Sequence, residues 1–200
     1  MDPFQPESAP EMEALDRLTL IEMRPPELAD DVMGPLYRLL RAPGDPPLHR
    51  QLLGALRPLH GAGARALLIT GLVDSLRYPA GEIDGPVGAT ALGRALTRLG
   101  WQVRIAIEPE AVGPAEIVRD AVGADIEVGS GEFPHAAAAQ DFGAQFDVLS
   151  SIEKLGRNAQ GVRHLVNGRP SQGGDPFSDD YMIGAMGGGQ IDHRYRRQWQ

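Results

Sequence analysis

The 200-residue chain carries a formal net charge of −8 and no cysteine. That acidity disfavours nucleic acid and anionic membrane surfaces over most of the molecule. The missing thiols exclude disulfides, thiolate nucleophiles and cysteine-held metals. No run approaches the roughly 20 apolar residues that a bilayer-crossing helix needs. The opening Met1-Asp2-Pro3-Phe4-Gln5-Pro6 is neither basic nor followed by an apolar signal core, so the expectation is a globular, cytoplasmic protein. The basic cluster His193-Arg194-Tyr195-Arg196-Arg197 reads as a solvated tail.

Residues Met1 to Pro10 hold three prolines and no periodicity, the pattern of an arm. From Glu11 to Met23, Met12, Leu15, Leu18 and Ile21 recur at helical spacing until Pro25-Pro26 stop the helix. A second helix fits Glu27 to Leu40, kinked at Pro35, and a third fits Leu48 to Leu59 after a turn-rich linker. This N-terminal extension, residues 1–63, reads as packing and carries no evident chemistry.

The pattern changes at Ala66. Ala66-Leu67-Leu68-Ile69-Thr70 is a short continuous apolar run, as expected of a strand buried on both faces. A polar loop from Gly71 to Asp84 leads into a helix with Gly85 as N-cap, Pro86 at the first helical position and Gly100 at the end. Gly88, Leu92, Ala95, Leu96 and Leu99 form its apolar stripe. Gln102 to Ile107 is the next strand, completing a βαβ unit. The device repeats with a short helix from Gly113-Pro114 through Val118, closed at Gly123, and a strand at Asp125 to Val128. A helix around Ala136 to Ala144 and a strand at Phe146 to Ile152 follow. The expected architecture for residues 64–200 is thus α/β, a doubly wound and mainly parallel sheet. No structure is assigned beyond Gly156.

Ligands of open parallel sheets bind beyond the carboxyl ends of the strands. That rule selects the loop after Thr70, the Glu108-Pro109-Glu110 corner and the segment after Ser151. The first loop is long for a βα connection and delivers Glu82-Ile83-Asp84-Gly85-Pro86-Val87-Gly88-Ala89 onto a helix start. Gly85, Gly88 and Ala89 would let a carboxylate or phosphate approach free backbone N–H groups. Glu82 and Asp84 repel a bare anion there. They suit a ligand that also carries an ammonium group, or an intervening divalent cation. Alternatively, Asp84 only caps the helix and Glu82 is a solvated loop acid. The loop is neither a Walker A motif nor a dinucleotide fingerprint. Further on, Glu153, Lys154 and Arg157 fall on one turn. Glu153 and Lys154 either pair with each other on the surface or serve a ligand, Glu153 as base or metal ligand and Lys154 or Arg157 as carboxylate holder. Lys154 is the only lysine in an arginine-biased chain. His60, His135, His164 and His193 show no metal-ligand spacing.

Leu68-Ile69-Thr70-Gly71 followed by Glu82-Ile83-Asp84-Gly85-Pro86-Val87-Gly88-Ala89 resembles the strand–loop–helix signature of the D-glutamate cyclase family, whose loop reads Glu-Thr-Asp-Gly-Pro-Pro-Gly-Ala. Ile152-Glu153-Lys154-Leu155-Gly156-Arg157 is similar to that family's Ile-Glu-Arg-X-Gly-Arg. The family's Asp-Gly-X-Tyr-X-Asn is matched only by Gln160-Gly161-Val162-Arg163-His164, and its Gly-Asp-Gly-Gly-Asn-Glu only by Gly187-Gly188-Gly189-Gln190-Ile191-Asp192.

The resemblance implies a lyase-type cyclase that converts D-glutamate into 5-oxo-D-proline with loss of water. It implies Glu82, Asp84, Glu153 and Lys154 as catalytic residues and Gly85, Gly88, Ala89 and Arg157 as substrate contacts. Manganese or magnesium on Glu82, Asp84 and Glu153 is a further expectation. The expected partner is a small carboxylate, with a homo-oligomer left open and neither nucleic acid nor membrane bound. Two alternatives stand beside it: a biosynthetic enzyme with a changed small carboxylate substrate, and a non-catalytic ligand-binding protein on the same fold.

Overall fold

A computed structural model of the chain describes residues 9–21, 33–60, 63–74, 76–131, 136–154, 160, 162 and 170. The chain divides into two compact units, Met1–His60 and Gly61–Gln200.

The first unit holds helices α1 (Ala9–Thr19), α2 (Met33–Leu40) and α3 (Leu48–Leu56), the last running into a 3-10 turn at Arg57–Leu59. Helix α1 begins two residues before the expected Glu11 and ends at Thr19 rather than Met23. The expected start of the second helix, at Glu27, lies outside the described residues. Pro35 falls in the first turn of α2, where its missing N–H has no helical partner to lose, so no kink is needed.

Helix α3 follows Pro47, which supplies no capping side chain. The cap comes instead from Asp16 on α1. Its Oδ2 accepts the Leu48 amide at 2.7 Å and its Oδ1 accepts the His49 amide at 3.0 Å. Tyr37 of α2 donates its hydroxyl to Oδ2 at 2.7 Å, and His49 Nδ1 meets Oδ1 at 2.5 Å. Burial opposes ionisation of this carboxyl, but the hydrogen bonds from Tyr37, His49 and Leu48 outweigh it and hold Asp16 far below the usual carboxylate range. One buried acid therefore joins three helices.

The second unit is built on four parallel strands, β1 (Arg65–Ile69), β2 (Gln102–Ile107), β3 (Glu127–Ser130) and β4 (Val148–Ser151), in the order β3-β2-β1-β4. Helices α4 (Asp84–Arg98), α5 (Val112–Val122) and α6 (Ala136–Gly143) connect them. Helix α4 packs on β1 and β2, and α5 on α4 and β3. Against the other face of β1, Leu67 and Ile69 pack with Ala106, Phe142 of α6, Phe146 and Leu149. Helices on both faces explain why β1 reads as an uninterrupted apolar run: Ala66, Leu67, Leu68 and Ile69 are all buried. The doubly wound α/β expectation describes this unit.

Several boundaries shift. Helix α4 starts at Asp84, with Ile83 at the N-cap position and no side-chain cap, so Pro86 is its third residue rather than its first. Its buried face is Gly85, Pro86, Ala89, Thr90, Gly93 and Leu96, whereas Leu92 of the expected stripe is exposed. The smallest residues face the sheet because the helix lies close to it. A Cβ on Gly93 would come within 2.6 Å of Ile126 Cδ1 and 3.2 Å of Val103 Cγ1. Gly100, at φ +85°, ends the helix in a Schellman arrangement: its amide reaches Thr97 O at 2.9 Å and the Trp101 amide reaches Leu96 O at 3.2 Å. Helix α5 is longer than expected at both ends, and β3 lies two residues later because Arg104 of β2 registers with Glu127.

Candidate functional site

The chain lays down β1, β2 and β3 in one direction across the sheet, then returns to the far side of β1 for β4. In an open parallel sheet of this order the ligand crevice falls at the carboxyl ends of the strands where the order reverses, here β1 and β4. Two backbone bonds carry the ladder past the strands to this point. Thr70 N donates to Ala106 O at 3.1 Å and Ile152 N donates to Ile69 O at 2.8 Å. Glu153 is thus delivered beside Thr70 and Gly71.

The long loop after β1 is ordered by its own backbone. Asp74 and Tyr78 pair as an antiparallel bridge, Asp74 Oδ1 accepts the Leu76 amide at 2.9 Å, and Glu82 N returns to Leu72 O at 2.9 Å. That return places Glu82 at the crevice and starts α4 with Asp84. The turn at the end of β4 presents Glu153 from the opposite side.

These three acids meet. The Glu153 carboxyl is pushed above its ordinary range by partial burial first, then by the charge of Asp84 and a hydrogen bond with it, and least by Glu82. Glu82 is raised by partial burial and then by Asp84. Neighbouring negative charges resist forming together, so both glutamates hold their protons more tightly than isolated carboxyl groups. Glu153 also holds φ +55°, and it is the one non-glycine residue with positive φ among the described residues. Such backbone is uncommon for a side chain of this kind and marks a position that its surroundings impose.

Gly85 and Ala89 are buried, and Gly88 lies at the surface. The missing side chain of Gly85 is used by the protein itself. A Cβ there would overlap Thr70 Oγ1 and stand 3.5 Å from Glu153 Cβ. The Gly85 amide donates to Asp84 Oδ1 at 2.9 Å. Gly88 faces Ile152, whose Cγ2 would be 3.7 Å from an added Cβ. Thr70 itself is fully buried, and its hydroxyl has no hydrogen-bond partner among the described residues.

Lys154 does not pair with its neighbour Glu153. Its ammonium forms a salt bridge with Glu108, at the end of β2, and donates to the carbonyl of Gly71 at 2.9 Å. Both charged side chains are 5% exposed. Glu108 belongs to a corner that the sheet-edge rule selects, but its partner is 46 residues away and only the fold brings the two together. Arg157 and the segment 163–169 lie outside the described residues.

Among the described residues no group of three His, Cys, Asp or Glu side chains is placed to hold a metal ion. No helix among them is long and apolar enough to cross a membrane.

Residues 45–180, more than half of the 200-residue chain, match the protein family described as "D-glutamate cyclase-like, C-terminal". None of the curated proteins compared with the chain matches it.

Proposed function

Because the chain belongs to the D-glutamate cyclase-like, C-terminal family, we propose that it closes a small amino-dicarboxylate into a lactam, D-glutamate into 5-oxo-D-proline with loss of water. The observation that carries this reading is the placement of Glu153, after β4, beside the start of α4, where Asp84 and the preceding Glu82 lie and where its Cβ would stand 3.5 Å from a Cβ on Gly85.

The reaction joins the substrate's amine nitrogen to its own side-chain carboxyl carbon and expels one carboxyl oxygen as water. Nucleophile and electrophile belong to one molecule, so holding the chain curled supplies most of the proximity. The substrate enters with a charged ammonium, for which three acids form a complementary seat. On the way to the lactam the ammonium nitrogen gives up two protons, one before it attacks and one after the C–N bond forms, and the departing carboxylate oxygen gains two to leave as water. The acids serve both needs in turn: a carboxylate accepts each proton from nitrogen and a carboxyl group delivers one to the leaving oxygen, so two transfers complete the loss of water and return the acids to their starting state. Raised proton affinity at Glu153 keeps it in the donor form nearer to neutral pH than an ordinary carboxyl group. Lys154 is not assigned a substrate contact in this scheme, since its ammonium is directed to Glu108 and Gly71.

Purified protein incubated with D-glutamate, in metal-free buffer and with added magnesium or manganese, tests the reading by chromatographic detection of 5-oxoproline. Turnover that disappears in Glu153→Gln supports it. Absence of turnover in every buffer, with D-glutamate binding retained, would favour the ligand-binding alternative.

A further inference from the structure

The left-handed backbone of Glu153 needs something to hold it, and the neighbouring residue supplies the means. Lys154 reaches away from the three acids to the Glu108 carboxylate at the end of β2 and to the Gly71 carbonyl at the end of β1. Gly71 sits at φ +106°, and a Cβ on it would overlap Glu108 Oε2. The residue after β1 is therefore glycine for two reasons that coincide: its backbone is left-handed, and the Glu108 carboxylate occupies the space a side chain would fill. The carboxyl ends of β1, β2 and β4 are thus tied at one point through buried side chains.

We infer that Lys154 is a positioning residue, which with Glu108 and Gly71 clamps the turn after β4 and so aims the Glu153 carboxyl at Asp84. The chain geometry requires this direction of effect. Lys154 and Glu153 are adjacent, so drawing the Lys154 side chain inward under β1 fixes the peptide between them. The Glu153 side chain then leaves on the side where α4 begins, with its Cβ near Gly85. A buried ion pair is a poor source of net stability but a specific geometric constraint, because either charge left alone in the interior is strongly unfavourable. The groups facing Glu153 are Asp84 from α4 and Glu82 from the preceding loop, both acidic. When these acids are ionised they repel one another, so the backbone has to hold Glu153 beside Asp84 against that repulsion.

The inference rests on the proposed role of Glu153, but its first readouts involve no substrate. Lys154 is the only lysine of the chain, so selective nitrogen-15 lysine labelling yields a single side-chain ammonium signal in the full protein. A slowly exchanging ammonium resonance at neutral pH is expected, and a solvent-averaged one overturns the clamp without any variant. Next, Lys154→Met combined with Glu108→Gln removes both charges of the salt bridge together. The three-bond amide–Hα coupling and the Cα and Cβ shifts of Glu153 should then leave their left-handed values. Lys154→Arg, which keeps a charge able to reach Glu108, should retain them. Unchanged Glu153 parameters in the double variant would refute the positioning role.

In the D-glutamate assay the double variant should lose at least tenfold in kcat, with KM changed by less than about threefold, and Lys154→Arg should recover most of the loss. If the wild-type protein has no cyclase activity while the Glu153 parameters respond as expected, the proposed reaction fails and the clamp stands. Loss of turnover with unmoved Glu153 parameters overturns the clamp instead.

Discussion

Glu153 and Asp84 are 69 positions apart in the chain, yet the end of β4 meets the start of α4 closely enough that Asp84 raises the proton affinity of the Glu153 carboxyl. Parallel strands make this possible, since every strand ends at the same edge of the sheet. The chain's return to the far side of β1 brings its last described strand beside the first loop. The partnership separates the chemical role of Glu153 from its backbone role.

Replacing Glu153 with glycine tests that separation. Glycine adopts φ +55° without steric cost, and a non-glycine residue in that region gives up on the order of 1 kcal/mol. Glu153→Gly is expected to match or slightly exceed the parent's stability in urea denaturation while abolishing cyclisation of D-glutamate. Glu153→Gln, which keeps the shape and still reaches Asp84, should lose activity with little change in stability. A Glu153→Gly protein that retains turnover would remove the residue from the proposed chemistry.

Acidity should affect the two units in opposite directions. Glu153 and Glu82 are raised above their ordinary value of 4.5 in the folded protein. The stability they contribute is complete below that value and is lost as pH rises through their folded values. Asp16 is depressed, so its contribution is present above its ordinary value of 3.8 and is lost as pH falls. Hydrogen exchange, read separately for amides of each unit, should show the sheet unit losing protection from about pH 4.5 upward. The helical unit should lose it below about pH 4. Glu82→Gln and Glu153→Gln should each flatten the first slope, and parallel pH slopes in the two units would contradict both assignments.

The contact of Gly85 with Thr70 predicts a coupled pair. Gly85→Ala drives a methyl group into Thr70 Oγ1 and should cost about 1–3 kcal/mol. In a Thr70→Ala background the obstacle is gone, so the same substitution should cost less by at least about 1 kcal/mol. Gly100→Ala is the contrast. Its Cβ would meet nothing within 4 Å, so only the strain at φ +85° applies, roughly 1 kcal/mol, with no change at the site. Equal penalties for Gly85→Ala in both backgrounds, measured by chemical denaturation, would rule the contact out.

Asp16 predicts a larger loss far from the acids. Its carboxylate accepts from Tyr37, from His49 and from two amides at the start of α3. Asp16→Ala leaves those partly buried donors without their acceptor and should destabilise the helical unit by about 1–3 kcal/mol. Asp16→Asn, which retains one acceptor oxygen, should fall between. A thermal melt unchanged in Asp16→Ala would show that the first unit does not depend on this cap.

Local pattern alone identified what depends on neighbours in the chain. The continuous apolar run at Leu67–Ile69 marked a strand covered on both faces, and the glycines at 100 and 123 marked helix ends by conformational freedom. Glu82, Asp84 and Glu153 were readable as candidates because residues at the carboxyl ends of parallel strands share one edge. The burial of α4 was not readable. Its exposed Leu92 outweighs Gly93 on any hydrophobic count, but a close helix–sheet approach selects for small volume rather than greasiness. Asp16 gave no signal as a cap, because the helix it caps begins 32 residues later. Nor could Lys154 be assigned from its neighbours, which offered Glu153 one residue away as the obvious partner. Only tertiary structure decided for Glu108, because the left-handed turn at Glu153 after β4 leaves the Lys154 side chain where β2 ends.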